Sequence, residues 1–374
     1  MKNVRLSRQI LAAMAALAFS GIAGAVTYTT TLLPTLGGTD SYANGINDSG
    51  QVVGFSYTAG NAARHATLWD SGAITDLGTL GGKHSQAHGI NNSGQVVGSS
   101  MYSAGSSAQH ATLWNGGAIT DLGTLGGKTS FATAINNSGQ AIGYSYKAGD
   151  AKFRATLWNG AIPRGLGTLG GRNSYANGIN DSGQVVGGSW TVGNAAIRAT
   201  LWESGAITDL GTLGGKHSYA GDINNSGQVV GWSDTAGNAE KRATLWDGGA
   251  ITALGTLGGT DSSATAINNS GQAIGFSYTA GNAAIRPTLW DGGAVTDLNS
   301  FLDASLQSAG WELVFASAIN DAGSIVGNAY NNLSGETRGF VLAPSVPEPE
   351  TYVLMLAGLG ALVSMVRRKR AAMA

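Results

Sequence analysis

The chain has 374 residues, of which only 11% are charged and 43% are apolar, with 59 Gly, 6 Pro and no Cys. A formal net charge of −1 on so apolar a chain excludes a highly charged disordered polymer. The lack of Cys excludes a disulfide scaffold, a thiolate metal site, a cysteine nucleophile and a lipidated N-terminal Cys.

Residues 1–25 read as a secretory signal peptide. Lys2, Arg5 and Arg8 precede an apolar stretch from Ile10 to Ile22, and Ala23-Gly24-Ala25 forms an A-x-A cleavage site through Ala23 and Ala25. The apolar stretch is short for a membrane span.

Residues 26–345 are one phrase repeated. Thr-Leu-Gly-Gly starts at 35, 79, 124, 168, 212 and 256, at intervals of 44 or 45 residues. The Ile of Ile-Asn-x-x-Gly recurs at 46, 90, 135, 179, 223, 267 and 319, and Thr-Leu-Trp starts at 67, 112, 156, 200, 244 and 288. A period in this range marks a solenoid, a propeller or an array. Each unit holds four short strands, in the first unit Ser41–Ile46, Gln51–Tyr57, Arg64–Trp69 and Ala73–Leu77. Asn47-Asp48-Ser49-Gly50 and Asp70-Ser71-Gly72 supply turn chemistry between them. No segment of the body has the length and 3.6-residue period of a sizeable helix.

Four strands in about 44 residues is the size of one propeller blade. The seventh unit stops after its third strand, Arg338–Leu342, and residues 29–38 match a fourth-strand phrase with no first three strands before it. The expected fold is therefore an all-β, seven-bladed propeller of four-stranded blades, closed by the N-terminal strand. Closure removes most unpaired edges. A β-solenoid is the alternative architecture. The small pairs Ala43/Gly45, Ala87/Gly89, Ala132/Ala134, Ala176/Gly178, Ala264/Ala266 and Ala316/Ala318 are expected nearest the axis, with Ala220/Asp222 as the exception. The Asp-Leu-Gly-Thr-Leu-Gly-Gly and Ile-Asn-x-x-Gly-Gln-Val-Val-Gly phrases resemble HAF repeats of secreted bacterial proteins. The chain has His-Ala-Thr or Arg-Ala-Thr before Leu-Trp in units one to five and Arg-Pro-Thr in the sixth. That family implies no established activity.

One position two residues before the Thr holds His65, His110, Arg154, Arg198, Arg242, Arg286 and, by alignment, Arg338. Seven potential cations at one height could bind an anion or an acidic polysaccharide. The structural reading pairs them with the fourth-strand Asp76, Asp121, Asp209 and Asp297. Gly165 and Ala253 replace that Asp in two units, so Arg154 and Arg242 would need other partners. The Trp of Thr-Leu-Trp is expected to pack between blades, while Trp190, Trp232 and Trp311 lie outside that position and could stack on a sugar. The residues after Gly-Gly vary, as in Thr39-Asp40, Lys83-His84 and Arg172-Asn173, which suits either a binding face or an unconstrained loop.

The Asn of all seven Ile-Asn phrases is expected to form a turn. Calcium is the rival, but no Asp-x-Asp ligand pattern occurs. Gly165–Gly170 fits G-x-G-x-x-G with no helix after it, so no dinucleotide site is expected. There is no H-E-x-x-H and no G-x-S-x-G, and the body's four Glu form no acid/base pair. No metal site, no cofactor and no catalytic residue is assigned. The body carries 14 basic and 20 acidic side chains, which argues against a nucleic-acid partner.

Residues 346–374 form a third region. Pro347, Glu348 and Pro349 precede an apolar segment at 352–366, expected as a transmembrane helix, and a basic cluster at 367–370. Fifteen residues of helix reach about 22 Å, marginal for a core of about 30 Å. The basic cluster should stay cytoplasmic, leaving the body outside the inner membrane. This order of elements resembles the PEP-CTERM sorting tail of Gram-negative exopolysaccharide producers. The resemblance implies a temporary membrane anchor, processed near Pro347–Pro349 by an exosortase. The expected function is a secreted, non-catalytic binding or structural propeller at the cell surface or exopolysaccharide matrix. Its expected partners are the exosortase, and acidic exopolysaccharide or surface proteins. A polysaccharide hydrolase or lyase is the alternative, and an ice-binding protein a minor one.

Overall fold

The computed structural model describes residues 27–345. The signal segment with Ala23 and Ala25, the Pro347–Pro349 motif, the span at 352–366 and the basic cluster at 367–370 lie outside the described residues. Thr29–Ala343 form one compact unit. Of a second unit made by the flanking residues, Thr27, Tyr28, Pro344 and Ser345 are described, and the Ser345 N–H donates to the Thr27 carbonyl at 2.7 Å.

Seven four-stranded antiparallel sheets follow one another along the chain. Blade one runs Gly37–Ile46, Val52–Thr58, Arg64–Asp70 and Ala73–Gly78, first strand to fourth. Blade seven takes Trp311–Ile319, Ile325–Asn331 and Thr337–Pro344 from the end of the body, and its fourth strand is Tyr28–Leu32. The ring closes through that strand. Among the described residues one short α-helix occurs, Ala304–Ser308.

The first strands of five blades begin four residues earlier than the pattern suggests, at Gly37 in blade one. Thr35 Oγ1 donates to the Gly38 carbonyl at 2.9 Å and turns the chain directly into the next blade. The Thr of Thr-Leu-Gly-Gly makes the same bond in all six units, blade two included, where the first strand begins at Ser85. Each first strand also slips register beside the second, in blade one between Ala43 and Gly45. The slip drives the Tyr42 carbonyl toward Gly54, where a Cβ would meet it at 1.9 Å. The equivalent glycines Gly98, Gly143, Gly187, Gly231, Gly275 and Gly327 are crowded by the same carbonyl at 1.9–2.1 Å. This accounts for the Gly that ends every Val-Val-Gly or Ala-Ile-Gly phrase.

The core lies between blades. Val53 and Ala66 of blade one pack with Ala87, Ile90, Val96 and Trp114 of blade two. The same set recurs at the next interfaces and closes with Leu33 and Val326 against Ala43, Val52 and Trp69. Each repeated Trp is therefore inter-blade packing, at 0–4% exposure. Ala43 and its equivalents also belong to these interfaces. At Gly45 a Cβ would meet His88 O of the next blade at 2.9 Å.

Candidate functional site

The turns between first and second strands gather at one end of the axis, here the turn face. The inner Asn of each turn is buried and does two things. Asn136 Oδ1 accepts the Gln140 N–H at 2.9 Å, which forms the turn. Its Nδ2 donates across the blade boundary to Asn180 O at 3.1 Å. Asn47, Asn91, Asn180, Asn224, Asn268 and Asn320 repeat that second bond at 3.0–3.2 Å, and Asn320 returns to Asn47 O. The result is a closed ring of seven hydrogen bonds around the axis.

The next residue makes a second ring. The backbone N–H of Asp48 donates to Asn92 Oδ1 at 3.0 Å, and the relation passes through Asn137, Asp181, Asn225, Asn269 and Asp321 back to Asp48 Oδ1. Sequence reasoning missed this ring. Its signal is that only Asp or Asn, the short side chains with a carbonyl oxygen, fill that position in all seven units. The mouth they line is a polar cavity of about 200 Å³. At Asp181, burial opposes ionisation, but hydrogen bonds from the backbone and side chain of Asn137 and from Asn225 outweigh it and hold the carboxyl below its ordinary value.

Asp222 also lines that mouth. In five other blades the preceding residue ties blade to blade. Asn44 Nδ2, Thr133 Oγ1, Asn177 Nδ2 and Thr265 Oγ1 donate to a carbonyl of the next blade at 2.7–3.2 Å, and His88 Nδ1 contacts Ala132 O at 2.8 Å. Gly221 in blade five has no side chain to do this. Asp222 reaches across instead and accepts the Ile267 N–H at 3.2 Å. The axial exception in the sequence is thus a compensated interface. Burial raises the Asp222 pKa to about 6 against hydrogen bonds from Ile223 and Ile267.

The seven candidate cations share one register position on the third strands, two strands out from the axis. Each has a local partner. His65 Nδ1 lies 2.7 Å from Asp76 and His110 Nδ1 2.7 Å from Asp121. Arg198 faces Asp209 at 3.9 Å, and Arg286 lies between Asp297 at 3.8 Å and Glu312. Arg154 and Arg242, whose blades lack the fourth-strand Asp, reach the next blade's backbone at Arg172 O and Thr260 O. Arg242 also pairs with Glu240 at 2.5 Å, and Arg338 with Glu336 at 3.2 Å and Thr39 O at 2.7 Å. Burial lowers the Arg154 pKa.

The face opposite the turns, here the loop face, carries the variable residues after Gly-Gly. The second of each pair is an inter-blade acceptor in five units. His84 Nδ1, Asn173 Oδ1, His217 Nδ1, Asp261 Oδ1 and Asp40 Oδ1 take backbone N–H groups of the preceding blade at 2.7–3.3 Å. Burial, with Arg64 and Lys83 nearby, lowers the His84 pKa and favours the neutral ring that this bond needs. The first of each pair is exposed. It is Lys83, Lys128, Arg172 and Lys216 on four consecutive blades, and Thr39 and Thr260 on two others. Lys83, Lys128 and Lys216 form no ion pair among the described residues. The turn face is acidic, with Asp48, Asp70, Asp181, Glu203, Asp247, Asp291 and Asp321 against Arg164.

Of the outlying tryptophans, Trp232 stacks on Tyr219 and lies 4.0 Å under the Lys241 ammonium. Trp190 is half-buried, with its backbone and Cβ close to Gly171. Trp311 lines an open cleft in blade seven. Among the described residues no group of three His, Asp or Glu could hold a metal ion.

The fold is a seven-bladed propeller of four-stranded blades. Residues 345–370 match the PEP-CTERM protein-sorting motif, which implies an exported protein that is anchored in a membrane and then processed by an exosortase. No curated protein matches the chain. A solved structure described as "The structure of putative TolB from Agrobacterium tumefaciens" is similar at 16% identity, over 63% of this chain and 87% of that chain, with a TM-score of 0.39. A likeness of that size carries no functional argument.

Proposed function

We propose that this is a surface-displayed, non-catalytic propeller of a Gram-negative bacterium that binds acidic exopolysaccharide through its loop face. The observation that carries the reading is the exposed row Lys83, Lys128, Arg172 and Lys216 on a propeller that ends in a sorting tail. Exposed like charges in a row raise the local concentration of a polyanion; the three Lys ammonium groups form no ion pair among the described residues, while the Arg172 guanidinium donates to Ala151 O at 2.9 and 3.2 Å. The His/Arg ring lies on the third strands of the same blades. Its partners are local carboxylates and carbonyls, so it contributes to the positive potential as a set of already engaged groups. A non-catalytic role is supported by the turn-face mouth, where Asn and Asp side chains hydrogen-bond one another around the ring. The repeat phrases resemble HAF repeats of secreted proteins, which suits the same setting.

The test is binding of the full-length protein to acidic and neutral polysaccharides at 50 and about 500 mM salt, where screening separates ionic from other attachment. Binding to the acidic polymer should fall at least about tenfold at high salt. It should weaken as much in a Lys83→Ala, Lys128→Ala, Lys216→Ala triple variant. Loss in an Arg154→Ala, Arg198→Ala, Arg242→Ala variant with the lysine variant unaffected would move the site to the inner ring. No binding to any acidic polymer would sink the proposal.

A further inference from the structure

Blade seven departs from the repeat. Between the fourth strand of blade six and Trp311 the chain inserts a 3₁₀ turn, Leu298–Phe301, and the helix Ala304–Ser308. Asn299 fixes the insert on the first strand of blade seven. Its Nδ2 donates to Leu313 O at 3.0 Å, and its Oδ1 accepts the Leu313 N–H at 2.9 Å. Gln307 Nε2 closes the insert on itself through Leu302 O at 2.8 Å. Between insert and strand lies a cleft of about 350 Å³. It is lined by Arg286, Asp297, Gln307, Trp311, Glu312 and Asn332.

We propose that this cleft binds a neutral pyranose residue of a polysaccharide chain. Its volume is in the range of small-ligand sites. Trp311 stands where other blades carry an exposed Lys, Arg or Thr, and an indole offers an apolar surface for the C–H face of a sugar ring. Asp297, Glu312 and Asn332 bring carboxylate and amide oxygens that accept from hydroxyls, and the Asn332 amide also donates. The charge pattern selects against an acidic sugar. Arg286 is held between Asp297 and Glu312, so two carboxylates face one guanidinium. A uronate would meet net negative charge there. All three outlying tryptophans are half-buried; Trp232 stacks on Tyr219, and Trp311 lines this cleft.

This site does not depend on the cationic row, and the experiment separates the two. The full chain is titrated calorimetrically with cellohexaose, mannohexaose, maltohexaose and xylohexaose, and with hexagalacturonate. At least one neutral hexasaccharide should bind, with the same affinity at low and high salt. Trp311→Ala and Asn332→Leu should each weaken it tenfold or more, and the triple lysine variant should leave it unchanged. Asn332 is exposed, so its variant decides the matter if Trp311→Ala does not fold. The proposal is overturned if no neutral probe binds, if binding is salt-sensitive, or if both cleft variants keep it. Loss of hexagalacturonate binding in the lysine variant reports separately on the loop face.

Discussion

Asn136→Asp separates a turn residue from a ring residue. Aspartate has the same shape, and one of its oxygens still accepts the Gln140 N–H, as Asn136 Oδ1 does at 2.9 Å. A role confined to the turn would tolerate the change. The other oxygen replaces an amide that donates to Gln140 Oε1 at 2.9 Å and Asn180 O at 3.1 Å, so it faces two acceptors at a position 4% exposed. Two lost hydrogen bonds at about 1 kcal/mol each, plus an unpaired buried charge, give about 3–4 kcal/mol of destabilisation at neutral pH. The new carboxyl should have a raised folded-state pKa. Its penalty is then absent well below the unfolded value near 4 and grows as pH rises toward the folded value. Acidification should therefore recover part of the loss, since a protonated carboxyl again donates one bond. Denaturant unfolding of the full-length protein at pH 4.5 and 7.5 measures both effects. An Asn136→Asp variant within about 1 kcal/mol of wild type at pH 7.5 refutes the inter-blade ring as a stabilising element.

Other outcomes follow from the same geometry. Asp222, with a folded pKa of about 6 against an ordinary 3.8, costs stability increasingly as pH rises from 4 to 6, so the stability difference between wild type and Asp222→Asn should change by up to about 3 kcal/mol over that window. A Gly221→Asn, Asp222→Gly double variant copies Asn177/Gly178 of blade four; it should stay folded and lose that pH dependence, while Asp222→Gly alone is weakened. Thermal unfolding against pH checks both, and a flat difference curve refutes the assignment. Gly187→Ala places a Cβ 2.0 Å from Tyr175 O and should cost about 3 kcal/mol or more, read by denaturant unfolding.

The period alone made most of the architecture legible. The seventh unit's stop after its third strand, with a fourth-strand phrase at 29–38, placed the missing strand at the N-terminus, and Tyr28–Leu32 occupies that place. The Asn of the turn was visible as a turn former, but its amide bond to the next blade was not. That bond depends on the ring radius, which no spacing along the chain encodes. The same holds for His84, Asn173 and Asp261. They look like loop variation, and they share one ability, to accept a backbone N–H. The partners of Arg154 and Arg242 were legible only as a gap, because a backbone carbonyl leaves no mark in a sequence.

The strand Tyr28–Leu32 also sets an order of events. Thr29 Oγ1 meets Ala343 O across 314 positions of chain, at 3.5 Å. A strand that emerges first must wait for a partner that is made almost last, roughly 15–60 s later at ordinary synthesis rates. For that interval the growing stack carries two open edges, and such edges invite pairing with other chains. The propeller is thus finished in one late step, when both ends of the stack are on the same side of the membrane. A chain stalled short of blade seven would keep its blades and still expose both edges.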